Sequence, residues 1–126
     1  MSELAKDFIM CQMLVVDDDE TVRESVSALL TLLGHEIIQA RDGLEAVIIY
    51  LSKYDKINLV IMDIVMPNMD GITATKEMKK EHPSAKIILM SGQSDKIIPE
   101  EADAILLKPF RYKELCETVE QVLKMA

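Results

Sequence analysis

The strongest constraint on this chain is a set of five short apolar runs separated by segments of a different period. Met13-Leu14-Val15-Val16 is continuous rather than alternating and stops at Asp17-Asp18-Asp19. That is the pattern of a strand covered on both faces that meets water at its carboxyl end. Further strands are predicted at Glu36 to Ala40, Asn58 to Met62, Lys86 to Met90 and Asp103 to Leu107. Between them the apolar residues recur at helical spacing. Val22, Val26, Leu29, Leu30 and Leu33 mark one face of a first helix, which Gly34 ends. Leu44, Val47, Ile48 and Leu51 mark a second, where Asp42 and Glu45 have the spacing of a reciprocal N-terminal cap. A third is predicted from Asp70-Gly71 to about Glu81, and a last one after Pro109, burying Leu115, Val119, Val122 and Leu123. This alternation predicts an α/β fold of three layers, with parallel strands joined by right-handed crossovers and helices on both faces of the sheet.

At 126 residues the chain is long enough for one core and too short for two independent folds. No apolar run approaches the ~20 residues that cross a bilayer, so a soluble protein without membrane insertion is expected. A formal charge of −8 argues against direct nucleic-acid binding, which needs a positive face. The opening MSELAKDFIMCQM has neither an Arg-rich stretch nor a long apolar segment ahead of a small-residue cleavage site, so a cytoplasmic protein is expected. Cys11 and Cys116 lie far apart, with no CxxC and no clustered histidine, and are expected to be buried thiols. His35 and His82 stand at predicted helix ends, where capping or surface roles are expected.

In an open parallel sheet ligands bind beyond the carboxyl ends of the strands. Those ends carry Asp17-Asp18-Asp19, Asp63, Ser91-Gly92 and Lys108-Pro109. Asp19 is expected to cap the first helix. The other carboxylates would repel one another by ~4 kcal/mol per pair at 4 Å and an effective dielectric near 20, so a hard cation is called for. Mg²⁺ takes one or two carboxylates plus waters and phosphate oxygens, and would leave Asp63 ionised and nucleophilic. A hydroxyl from Ser91 and an ammonium from Lys108 suit the oxygens of a phosphoryl group on Asp63. A calcium-loop reading of the acidic triplet fails, because Val22 and Ala28 occupy the positions of the turn glycine and the closing glutamate.

The segments LVVDDDE, MDIVMPNMDG, LMSG and LLKPF, in this order and each at a predicted strand end, resemble the receiver domain of two-component response regulators. The resemblance covers about Cys11 to the C-terminus, leaving 1–10 as an N-terminal extension and 11–126 as the receiver domain. It implies the flavodoxin-like strand order 2-1-3-4-5. It further implies that Asp63 is the phosphoacceptor, that Asp17, Asp18, Asp63 and the backbone carbonyl of Val65 hold Mg²⁺ or Mn²⁺, and that the amides of Val65 and Gly92 cradle phosphoryl oxygens. Ser91 and Lys108 would contact the phosphoryl group, and a cis peptide bond would precede Pro109. The implied donor is a phosphohistidine on a sensor histidine kinase or phosphotransfer protein, the implied output is a downstream target protein, and the implied state is a monomer or weak homodimer. Such a domain catalyses only its own phosphorylation and dephosphorylation.

Two departures stand out. Only the residues from Gly92 to Leu107 separate Ser91 from Lys108, and Pro99 is among them, which predicts a fourth helix that is shortened, displaced or missing. Ile105 also stands where many members of the family carry an aromatic side chain, so the segment from Gly92 to Ala102 is expected to carry the signal by changing its order. A haloacid-dehalogenase-like phosphatase is the chief competing function, but such enzymes need a second acid where this chain has Val65. A phosphorylation-independent interaction module is the other. No separate output domain is expected within these residues, which leaves open a protein that works alone and a part of something longer.

Overall fold

A computed structural model describes residues 11–92 and 99–125. Strands β1 (Gln12–Val16), β2 (Glu36–Ala40), β3 (Leu59–Asp63), β4 (Ile87–Ser91) and β5 (Ala104–Leu107) alternate with helices α1 (Glu20–Leu32), α2 (Gly43–Lys53), α3 (Gly71–Glu81) and α4 (Tyr112–Leu123), with no helix among the described residues between β4 and β5. The five strands form one parallel sheet in the order β2-β1-β3-β4-β5, as expected.

The continuous apolar runs follow from burial on both faces. Leu14, Val16, Val60, Met62, Ile87 and Leu89 point to one side, where Ala46, Val47 and Tyr50 of α2 and Ala74 and Met78 of α3 cover them. Met13, Val15, Leu59, Ile61, Ile88 and Met90 point to the other, under Val26 and Leu30 of α1 and Leu115, Val119 and Val122 of α4. Each layer thus buries a full row of side chains, at roughly 1.5–3 kcal/mol per large apolar residue.

Helix starts obey local capping chemistry. The Asp19 carboxylate accepts the amides of Thr21 and Val22, and Asp70 accepts that of Thr73. The cap of α2 differs in one partner from the predicted reciprocal one. Asp42 Oδ1 accepts the Glu45 amide at 2.8 Å, while the Glu45 carboxylate reaches one residue further back, to the Arg41 amide at 3.0 Å. Gly34 adopts φ 94° after α1, a backbone setting that a side chain would strain. His82 caps α3 and stacks on Tyr54 at a centroid distance of 3.7 Å, and His35 Nδ1 accepts the Cys11 amide at 3.1 Å. Cys11 is buried, while Cys116 is partly exposed rather than buried.

The buried face of α2 is a correction. Leu44, Ile48 and Leu51 are exposed, and Gly43, Ala46, Val47 and Tyr50 face the core. The helix is apolar almost all round, so its period alone could not select the inner arc; at its start Gly43 lies against the Met69 carbonyl, where a side chain would clash.

Between β4 and β5, residues 99–102 make a turn closed by the Ala102 amide on the Pro99 carbonyl at 3.1 Å. The predicted shortened or missing helix, and the order change assigned to this segment, fall largely on residues 93–98, outside the described residues, as does the extension 1–10. Asp103 brings the chain back into register: its Oδ2 accepts the Ile87 amide at 2.8 Å and pairs with Lys79 Nζ of α3 at 2.9 Å. No helix among the described residues is long and apolar enough to cross a membrane.

Candidate functional site

Parallel strands place their carboxyl ends on one rim, and the local sequence decides what stands there. β1 stops where three aspartates replace its apolar run. β3 and β4 each run one residue further than the apolar runs predict, ending in Asp63 and Ser91 themselves. The ladder explains the extension: Asp63 pairs in register with Met90, and Ser91 with Leu107. The Ile64 amide then donates to the Met90 carbonyl at 3.1 Å and the Lys108 amide to the Ser91 carbonyl at 2.7 Å. The backbone under both polar side chains is therefore held by the sheet rather than by a loop.

Asp17, Asp18 and Asp63 converge here, each with a ligand atom within 4.8 Å of the others. Asp17 and Asp63 are buried and Asp18 is exposed, so the trio opens to solvent on one side. Lys108 Nζ lies 2.9 Å from Asp17 Oδ2 and 3.2 Å from Asp63 Oδ1, bridging the ends of β1 and β3. The peptide bond from Lys108 to Pro109 is cis, as the resemblance implied. Ser91 is buried at the same rim, Gly92 is exposed beside it, and Val65 is 63% exposed two residues beyond Asp63.

Asp17 is oriented from two sides. Its Oδ1 accepts the Asp19 amide at 2.9 Å, and its carbonyl accepts Arg23 Nη1 of α1 at 2.9 Å. Burial and the adjacent Asp17 charge push the Asp63 carboxyl above its ordinary value, against the attraction of Lys108 and its hydrogen bond. Lys108 itself is held above the ordinary lysine value: burial opposes the charge, but the hydrogen bond to Asp17 and the attraction of Asp63 outweigh it. Three oxygen donors with an excess of negative charge suit a hard divalent cation better than a zinc-type site, which wants nitrogen or sulfur.

The residues from Ile64 to Asp70 leave Asp63 and lead into α3. Gly71 closes this loop at its far end, its amide donating to the Ile64 carbonyl at 2.8 Å. A Cβ on Gly71 would lie 2.2 Å from the Asp63 carbonyl oxygen, so only glycine permits this approach. All the predicted site residues thus reach one rim or its immediate border. Arg23, Asn68 and Asp42 as a loop contact escaped the sequence reading. Their partners are set by tertiary packing, and only Asn68 left a trace, as an asparagine in a turn-like PNMDG stretch.

A doubly wound five-stranded sheet with carboxylates and a lysine at its carboxyl rim defines a class of α/β domains with an aspartate-bearing rim. Residues 13–120 match the family model of the response regulator receiver domain, and the chain belongs to that family. It is similar to a probable transcriptional regulator, ycf27, of Porphyra purpurea, with 36% identity over 91% of this chain and 48% of the relative. It is also similar to the chemotaxis protein CheY of Treponema pallidum, with 33% identity over 90% of this chain and 83% of that one. Among solved structures it resembles a chain in the CheX-CheY-BeF3-Mg+2 complex from Borrelia burgdorferi, with a TM-score of 0.86, 30% identity and coverage of 91% and 90%. The chain spans about half the length of the ycf27 relatives it matches. It is a receiver domain of the two-component type, a regulatory signalling module.

Proposed function

We propose that this receiver is switched by phosphorylation of Asp63, with the phosphoryl group drawn from a phosphohistidine on a sensor histidine kinase or phosphotransfer protein. The observation that carries the reading is the convergence of Asp17, Asp18 and Asp63 under the Lys108 ammonium at the carboxyl rim. A carboxylate oxygen of Asp63 would attack phosphorus as the bond to the histidine nitrogen breaks, and the imidazole would leave. Lys108 would shift from the carboxylates toward the new phosphoryl oxygens, and Ser91 would donate a hydrogen bond to them. The amides of Val65 and Gly92, which follow the ends of β3 and β4, would bind the remaining oxygens.

Mg²⁺, or Mn²⁺ in its place, would be held by Asp17, Asp18, Asp63 and the Val65 carbonyl, and would neutralise charge on the phosphoryl oxygens. The Mg named in the similar Borrelia burgdorferi complex supports that assignment. Val65 offers no acid or base to activate water, which favours a switch over a phosphatase. A cytoplasmic setting, a receiver spanning 11–126 after an extension at 1–10, and output through a downstream protein complete the reading.

The test is incubation of the full chain with acetyl phosphate and Mg²⁺, followed by intact-mass measurement. Wild type is expected to gain one phosphoryl group and Asp63→Ala none. Equal gain in both proteins, or none in either, sinks the assignment of Asp63.

A further inference from the structure

The loop from Ile64 to Asp70 carries Val65, yet its middle is tied to a different part of the fold. Asn68 stands at φ 67°, in the left-handed region that asparagine and glycine tolerate best. In that pose its Nδ2 donates to Asp42 Oδ2 at 2.8 Å. The Asp42 carboxylate is therefore divided: Oδ1 caps α2 through the Glu45 amide at 2.8 Å, and Oδ2 holds Asn68. One residue along, the Gly43 amide donates to the Met69 carbonyl at 3.0 Å. A Cβ on Gly43 would lie 2.3 Å from that oxygen, so the two backbones touch only because residue 43 has no side chain. The hydrogen bonds from Glu45 and Asn68 hold the Asp42 carboxyl below its ordinary value, so it meets Asn68 ionised at neutral pH.

We propose that Asp42 and Asn68 are positioning residues, forming a latch between the start of α2 and the acceptor loop that sets the Val65 carbonyl and amide for metal and phosphoryl binding. The inference rests on the reading of Asp63 as phosphoacceptor and Val65 as a backbone ligand. Gly71 fixes the loop at its junction with α3 and Met66 is buried in the core beside Val65, so the Asn68 contact supplies the polar tie at the loop's middle. A backbone ligand has no rotamer with which to recover from a displaced loop, so its placement depends on such ties.

Two substitutions separate the latch from its surroundings. Asn68→Gly keeps the left-handed backbone and loses the amide. Asp42→Ser keeps an N-cap oxygen and lacks the second one. Calorimetric titration of the full chain with Mg²⁺ should show each variant binding roughly tenfold more weakly, with acetyl phosphate labelling of Asp63 slowed in step. The double variant should be no weaker than either single, because both remove the same contact. Asp42→Asn, which can still cap α2 and face a turned Asn68 amide, should restore wild-type affinity. Wild-type Mg²⁺ affinity in Asn68→Gly, or additive losses in the double variant, overturns the latch even if melting temperatures fall. A wild type that binds Mg²⁺ but takes no phosphoryl group overturns the phosphoacceptor reading alone, and one that binds no Mg²⁺ overturns both.

Discussion

Opposing influences meet on the Asp63 carboxylate. Burial and Asp17 favour its neutral form and Lys108 its ionised form, with the balance above the ordinary value. A carboxyl whose folded pKa exceeds its unfolded one binds its proton more tightly in the folded state. Ionised Asp63 therefore costs stability at neutral pH, and the cost vanishes as pH falls from the folded value to the unfolded one. Asp63→Asn is expected to stabilise the metal-free protein at pH 7 by up to about 1 kcal/mol, since Lys108 keeps Asp17 as a partner. The gain, read from thermal melting, should shrink at acidic pH. A lower melting temperature at pH 7 would mean that Lys108 needs both carboxylates. Asp17, Asp63, Ser91 and Lys108 were legible as candidates because each follows an apolar run directly, and parallel strands bring such positions to one rim whatever lies between. The Asn68 contact with Asp42 was not, because it depends on a single left-handed residue and a partner on another corner of the sheet.

At the scale of elements, α3 begins where β3's last backbone carbonyl leaves no room. Gly71→Ala would push a methyl against the Asp63 carbonyl and the Ile64 Cα, atoms that cannot swing away as a side-chain tip could. The substitution is expected to cost about 1–3 kcal/mol, measured as a lower urea midpoint with an unchanged slope. An unchanged midpoint would show that the start of α3 can withdraw freely. Capping aspartates made the starts of α1 and α3 readable, since Asp19 and Asp70 act on amides two or three residues away. The inner face of α2 was not readable. Its outward Leu44, Ile48 and Leu51 are as apolar as its inward Val47, so only packing against the rest of the fold could choose between them.

For the whole molecule, a metal bound only by the folded rim should stabilise the fold by mass action, about 2.7 kcal/mol at a Mg²⁺ concentration one hundred times the Kd. Melting with and without Mg²⁺ should show that gain in wild type and its loss in Asp18→Asn. An equal gain in both proteins would place the stabilising ion elsewhere. Such global coupling is expected of a fold whose two cores share every strand, so that the rim and both helical layers unfold together. The sequence by itself determined the alternation of strand and helix, the parallel sheet and the polar residues at its rim. Those follow from short-range rules, namely that continuous apolar runs make doubly covered strands and that capping residues act within one helical turn. Tertiary structure alone decided that Lys108 bridges two carboxylates, that Gly71 and Gly43 admit backbone oxygens, and that α2 buries Val47 and Tyr50 while Leu44, Ile48 and Leu51 face outward. Each of these depends on distances between segments remote in the chain, which local periodicity does not encode.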